Sequence, residues 1–205
     1  MEQRKEIQPA PESAAAARAR GSHPRIPPRL TVGDRVVYAS HGIGRIESRE
    51  HRGADGELLI LVFEHGMRVT LPLGRAETAL RSLSGETELE EVQRTLGGDS
   101  PPPSLEHWSR RHRNAQAKFL VGSVGGLAEI VRDGARRESA RLKRGTAPIK
   151  NQLYQAARKL LVAEVAAARG IELDAADAWI GLQIEGDPLA AERQGRTRRA
   201  REARQ

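Results

Sequence analysis

The sequence lacks cysteine and has few aromatic residues. Its 205 residues contain no cysteine, which excludes a disulfide framework and a thiolate metal site, and which fits a reducing cytoplasm. Aromatic residues make up only 3% of the chain. No apolar run approaches the roughly 20 residues of a membrane span. No apolar segment follows the charged first residues, which argues against a secretory signal. We therefore expect a cytoplasmic protein.

The positive charge is concentrated in one part of the chain. The formal net charge is +7, yet residues 107–160 carry 13 basic and 3 acidic groups. The flanking segments 83–106 and 161–188 each carry a net charge of −5. A field so localised indicates one surface that binds a polyanion. The alternative is a solvated helix face, but solvated faces usually mix both signs.

The pattern of residues 30–82 is typical of short β-strands. Turn signals at Val32-Gly33-Asp34 and His41-Gly42 flank short apolar runs, and residues 58–63 form a run of strand length. Four or five strands in about fifty residues predict a small SH3- or Tudor-like barrel. Residues 1–29 contain few large apolar groups and are expected to be disordered.

From Ser84 onward the apolar period becomes helical. We predict about five helices in an all-α domain over residues 83–188, so that the fold is α+β in two domains. The expected boundaries are a capping box at Thr87–Glu90, helices from about Leu105 to Val121 and from Ser123 to about Leu142, a helix opened by Thr146 and Pro148 that ends at Gly170, and a last helix capped by Asp174. The arginine-rich segment 189–205 is expected to be an unstructured basic tail.

No constellation of residues indicates catalysis. The histidines do not pair at metal-binding spacing, and His107 and His112 lie in an arginine cluster that would repel a cation. Gly42-Ile43-Gly44 opens a strand rather than a helix, so a turn is the better interpretation than a dinucleotide motif. We therefore expect no enzyme, no catalytic residue, no metal, no cofactor and no small-molecule substrate.

The most informative segment is the basic helix that begins near Trp108. Arg110, Arg111 and Arg113 fall in its first two turns, where positive charge opposes the helix dipole. A sequence that accepts this cost usually has an anion to bind. Arg136 and Arg137 lie in the next helix, and an antiparallel helical hairpin would bring them back toward Trp108.

Trp108 itself has two interpretations. Leu105, Trp108, His112, Ala115 and Phe119 share one helical stripe, and this periodicity favours a core tryptophan. The functional interpretation is a wedge, an apolar plate beside arginines that stabilises an unstacked base step. The sequence leaves both interpretations open.

At these residues the sequence resembles the CarD family, over about residues 30–170. The N-terminal motif is Val32-Gly33-Asp34-Arg35-Val36-Val37-Tyr38 followed by His41-Gly42 and later by Val69-Thr70-Leu71-Pro72. The C-terminal motif is Trp108-Ser109-Arg110-Arg111, with Val131-Arg132-Asp133 and Ala157-Arg158-Lys159-Leu160-Leu161 further on. The two motifs in this order are fairly specific.

The resemblance implies a bacterial transcription regulator. The barrel, residues 30–82, would bind a lobe of the RNA polymerase β subunit along a strand edge. The helical domain would contact promoter DNA at the upstream edge of the transcription bubble. Trp108 would wedge into the minor groove and stabilise the open complex. The basic residues that would hold the DNA backbone are Arg110, Arg111, Arg113, Arg136 and Arg137. We expect the protein to be a monomer associated with the nucleoid.

The chain departs from the family pattern at two places. Thr70 stands where the family often has an arginine, so the polymerase contact is expected to involve Arg49, Arg52 and Arg68 together with Thr70. Gly134-Ala135 stands where the family tends to have a large apolar pair, which predicts looser or different packing of the helices.

Two other functions remain open at this point. One is a nonspecific basic DNA-binding protein of the nucleoid whose barrel binds a separate protein. The other is an RNA-binding or ribosome-associated protein, since small barrels and basic helices occur there too.

Overall fold

The computed structural model describes residues 30–53, 56–64, 66–98, 108–147 and 151–186. Within these ranges an antiparallel sheet of five strands is followed by a set of helices, which confirms the predicted two-domain α+β fold. The expected disordered segments, 1–29 and 189–205, lie outside the described residues. No helix in the described part of the chain is long and apolar enough to cross a membrane.

The sheet has the strand order β4-β3-β2-β1-β5, and every neighbouring pair is antiparallel. A short helix, α1 (Leu73–Ala79), connects the last two strands. This order leaves β4 and β5 at the two edges. The strands are β1 (Arg35–Tyr38), β2 (Gly42–Arg52), β3 (Gly56–Phe63), β4 (Arg68–Pro72) and β5 (Leu80–Ser82).

The core of the sheet is formed by alternate residues of its strands, because successive side chains of a strand point to opposite faces. On β3 these residues are Leu59, Leu61 and Phe63, all at most 2% exposed. A register shift between Ile46 and Ser48 bends β2 without removing Ile46 from the core. The other buried residues of this cluster are Leu30, Val36, Leu71, Ala76 and Leu80.

The turn that enters β1 is held by Asp34. Its carboxylate accepts hydrogen bonds from the backbone N–H of Thr31 at 2.9 Å and from the Thr31 hydroxyl at 2.5 Å. These bonds lower the pKa of Asp34 below its usual range. Gly33 has a φ of +96°, which favours glycine, and donates its N–H to the carbonyl of Ile46 at 2.8 Å. The predicted turn is therefore anchored on β2.

Five helices follow the sheet in the described residues, in agreement with the predicted number. They pack around one apolar core that includes Leu89 and Val92, Leu127 and Val131, and Leu161. They are α2 (Glu86–Gly97), α3 (Trp108–Val121), α4 (Val124–Leu142), α5 (Gln152–Arg169) and α6 (Leu173–Glu185).

Several helix starts differ from those predicted. The α2 helix begins at Glu86, where Glu88 accepts the N–H of Gly85 at 2.9 Å, and the capping box expected at Thr87 is wrong. The α5 helix begins after Asn151, whose side chain accepts the N–H of Tyr154 at 3.3 Å, rather than at Thr146. Asp174 is not a cap but lies in the first turn of α6, where its charge favours the helix dipole.

The small residue at position 134 is explained by Tyr154. Gly134 is buried in α4, and a Cβ atom built there would lie 2.3 Å from Cδ2 of the Tyr154 ring. Tyr154 is only 6% exposed and belongs to the helical core. The ring of one helix therefore occupies the space that a larger residue at 134 would take, which is a different packing rather than a loose one.

Candidate functional site

The basic face begins at the N-terminal half of α3. Arg110 and Arg113 are exposed and Arg111 is half-buried. Ala115 and Phe119 pack against the helical core, as predicted, but His112 is exposed and is not part of the buried stripe. Lysine and arginine on such a face are the groups that neutralise phosphates.

Trp108 is the first described residue of α3, and the predicted start near Leu105 lies outside the described residues. Its side chain lies outside what the structure describes, as do Leu105 and His107. The choice between a core tryptophan and a wedge therefore stays a prediction.

The α3 and α4 helices form the predicted helical hairpin. The turn between them is Gly122-Ser123, and Ser123 caps α4 by accepting the N–H of Gly126 at 3.2 Å. An ion pair between Lys118 and Glu129 joins the ends of the two helices nearest this turn. Arg137, in the C-terminal half of α4, is exposed.

Arg132 and Arg136 of α4 point to a neighbouring helix end. The Arg132 guanidinium donates to the carbonyl of Thr95 at 3.3 Å and pairs with Asp133 at 3.0 Å. Arg136 donates through Nη2 to the carbonyl of Gly98 at 2.7 Å. Both carbonyls lie at the C-terminus of α2, where the helix dipole is negative and cations are favourable. The predicted DNA-binding residues Arg136 and Arg137 thus have different surroundings.

A second candidate surface is the β4 edge of the sheet. In the described residues β4 has one hydrogen-bonded neighbour, β3. Arg68 and Thr70 are exposed and lie on the same face, because they are two residues apart on one strand. Arg52, at the end of β2, lies on this face too and pairs with Glu50 at 3.4 Å. Three of the four predicted polymerase-binding residues, Arg52, Arg68 and Thr70, therefore share one face of the sheet, which we call the β4 face.

Arg49 lies on the opposite face of the sheet. Its register partner is the buried Leu59. Its guanidinium donates to the carbonyl of Leu30 at 3.2 Å and forms an ion pair with Glu57. The hydrogen bond from Arg49 Nε to Glu57 raises the pKa of Arg49 and lowers that of Glu57. Arg49 thus holds the segment that leads into the sheet, and the sequence gives no sign of this because Leu30 is 19 residues away.

A buried ion pair joins the sheet to the helices. Arg81 of β5 and Glu164 of α5 are 8% and 1% exposed. Arg81 Nη2 donates to Oε2 of Glu164 at 2.7 Å, and its Nη1 donates to the other carboxylate oxygen. Arg81 also donates to the carbonyl of Gly122 at 2.9 Å, and the Ser84 hydroxyl donates to Glu164 at 2.6 Å. Both members of the buried pair therefore have further hydrogen-bond partners, Gly122 for Arg81 and Ser84 for Glu164.

The loop between β1 and β2 fits closely against the helices. A Cβ atom at Gly122, at the end of α3, would lie 2.7 Å from Cα of Ala39. A Cβ atom at Gly42 would lie 3.0 Å from the Leu160 side chain of α5. The His41-Gly42 motif, predicted as a turn, also packs directly against the helical domain. Neither the Arg81 junction nor this packing was predicted.

Comparison with known families agrees with these two parts. Residues 30–84 match the family described as the CarD-like/TRCF RID domain. Residues 91–181 match the family described as the CarD C-terminal domain. The chain belongs to the CarD family. This CarD-family protein therefore interacts with RNA polymerase and takes part in transcription. The CarD family is a family of non-enzymatic regulators that bind RNA polymerase. The described part of this CarD-family chain contains no group of three potential metal ligands.

Proposed function

We propose that this CarD-family protein binds the RNA polymerase β subunit through the β4 face and promoter DNA through the start of α3. In this proposal Trp108 wedges into the minor groove at the upstream edge of the bubble and stabilises the open complex. The protein acts as a monomer on the nucleoid in the cytoplasm. The observation that carries the proposal is the buried junction at Arg81. Arg81 lies on β5, at the edge of the sheet opposite β4, and joins the sheet to Glu164 of α5 and to Gly122 at the end of the arginine-bearing α3.

The β4 face fits a protein partner better than it fits DNA. Arg68 pairs with Glu47 and Arg52 pairs with Glu50, which offsets the positive charge that these two arginines bring to the face. An open strand edge offers backbone donors and acceptors that a strand of the partner can pair with. Residues 30–82 have 7 basic and 7 acidic groups, which also disfavours a nucleic acid here.

The start of α3 fits DNA better than it fits protein. Arg110 and Arg113 are exposed and Arg111 is half-buried in the first described turns of the helix, and the exposed Arg137 adds a further positive charge on α4. Each duplex phosphate neutralised by such a residue releases counterions, with a slope of about −0.9 in log K against log salt concentration. DNA binding by this surface is therefore expected to weaken steeply with salt.

The buried Arg81–Glu164 junction allows the two surfaces to act together. A protein shifts the equilibrium between closed and open promoter complexes only by its difference in affinity for the two states. Binding to polymerase alone would favour neither state. In the proposal the sheet stays on polymerase and α3 is held against the melted DNA at the edge of the bubble. This contact supplies the difference in affinity, which we expect to be about 1–3 kcal/mol.

The test uses the full chain and purified RNA polymerase. Arg52→Glu with Arg68→Glu is expected to reduce polymerase binding at least tenfold while duplex DNA binding is retained. Arg75→Glu is the matched control, since Arg75 is an exposed arginine of α1 outside this face. Unchanged polymerase binding by the double variant would favour the alternative, a nonspecific nucleoid DNA-binding protein. Preference for structured RNA over promoter duplex in direct competition would favour an RNA-binding function.

A further inference from the structure

The connection that leads to Trp108 starts at a residue held by α4. Gly98 follows the last residue of α2, and its carbonyl accepts Nη2 of Arg136 at 2.7 Å. One turn earlier on α4, Arg132 donates to the carbonyl of Thr95 at 3.3 Å. Two successive turns of α4 thus grip the last turn of α2, ten residues before Trp108 in the chain.

These two hydrogen bonds are part-buried. The Arg132 side chain is 11% exposed, and its guanidinium also pairs with Asp133. Arg136 is half-buried, whereas its neighbour Arg137 is exposed. An arginine whose donor is engaged with a half-buried helix end has fewer donors to offer a phosphate, and withdrawing it would remove the protein partner of that carbonyl.

We infer that Arg136, supported by Arg132, is a positioning residue that sets where the segment carrying Trp108 leaves α2. The functional consequence of this inference rests on the proposed function, in which Trp108 contacts the edge of the bubble. In this arrangement Arg137 contacts phosphate directly, and Arg136 acts through Gly98.

The two roles have different salt signatures. Loss of a phosphate contact removes one counterion-release step, so Arg137→Gln is expected to make the slope of log K against log salt shallower by about 0.9. Loss of a positioning contact misplaces Trp108 without removing a phosphate partner. Arg136→Gln is therefore expected to leave the slope unchanged while shortening the open-complex lifetime at least threefold.

Arg136→Lys provides a conservative rescue. A lysine retains the charge and a donor for a helix C-terminus, so we expect it to restore more than half of the lost lifetime. Thermal unfolding of each variant establishes that the fold is intact. If Arg136→Gln makes the salt slope shallower by as much as Arg137→Gln does, Arg136 is a phosphate contact and the inference is wrong.

A structural measurement keeps this inference separate from the proposed function. In the free protein, Arg136→Gln is expected to accelerate amide hydrogen exchange at residues 95–98 at least tenfold and to shift the indole N–H resonance of Trp108. Arg137→Gln is expected to change neither. If these changes occur but the protein does not bind promoter DNA, the positioning stands and the proposed function fails. Unchanged exchange and an unchanged indole resonance would overturn the positioning.

Discussion

The Arg81 guanidinium and the Glu164 carboxylate form a bidentate ion pair that is buried between the sheet and the helices. The two residues are 83 positions apart in the chain. The same guanidinium holds the carbonyl of Gly122 at the end of α3. The sheet therefore fixes the C-terminal end of the helix whose first described turns carry the proposed DNA-binding arginines.

Breaking this pair on one side is expected to be costly. Arg81→Met leaves Glu164 buried without its cation and should lower the free energy of unfolding by about 3–5 kcal/mol. Arg81→Met with Glu164→Leu should cost clearly less than the sum of the two single changes, because no charge is left uncompensated. Urea unfolding of the three variants measures this coupling.

The exposed pair Lys118–Glu129 is the control for that cycle, since its side chains are 48% and 39% exposed. Replacing Lys118 by Met and Glu129 by Leu should give a coupling below about 1 kcal/mol. Equal coupling at the two sites would contradict the importance assigned to the buried junction.

Gly122 is expected to be sensitive because of Ala39. Gly122 and Gly170 both follow a helix with nearly the same φ, +66° and +65°. Alanine in this conformation costs about 1–2 kcal/mol at either site. At Gly122 its Cβ would also meet the backbone of Ala39, whereas nothing lies within 4 Å of the same atom at Gly170. Gly122→Ala should therefore cost at least about 1 kcal/mol more in thermal unfolding. Equal costs would refute the close approach.

Gly134 and Gly181 provide a second matched pair within helices. Gly181→Ala meets no neighbouring atom and should raise the free energy of unfolding by about 0.5–1 kcal/mol through helix propensity. Gly134→Ala has the same propensity gain, but its Cβ would overlap the Tyr154 ring, and we expect a net loss of about 1–3 kcal/mol. Stabilisation by Gly134→Ala would mean that Tyr154 does not occupy this space.

The pKa of Asp34 makes the entry turn sensitive to acid. The hydrogen bonds from Thr31 lower this pKa below its usual value of 3.8. A carboxylate with a lowered pKa stabilises the fold above its unfolded pKa, and this contribution is lost as the pH falls through the lower folded pKa. An NMR titration should give Asp34 a pKa below 3.8 that rises toward this value in Thr31→Val. An unchanged pKa in this variant would contradict the assigned cause.

The sequence was informative where a pattern is local. The apolar run at residues 58–63 predicted a strand, and the predicted helix bounds at Val121 and Ser123 agree with the turn of the helical hairpin. Patterns of this kind depend on neighbours within a few residues. They also led to the family, because its motifs lie within single strands and helices.

The junction and the α2 grip could not be predicted in this way. Arg81 and Glu164 look like ordinary charged residues until the fold brings them together. Arg136 was predicted to belong to a phosphate-binding cluster because few acidic residues lie nearby in the sequence. Part of its counter-charge is a helix C-terminus, which is made of backbone carbonyls and leaves no mark in the amino-acid composition.

The lifetime of an open promoter complex tests the central claim most directly. Purified RNA polymerase on a promoter is challenged with competitor DNA, with the full chain, with Trp108→Ala, or without the protein. The claim predicts that the full chain lengthens the lifetime about 5–150-fold and that folded Trp108→Ala still binds polymerase but loses most of this effect. A lifetime that is the same with the full chain and with Trp108→Ala, or an unfolded Trp108→Ala, would contradict it.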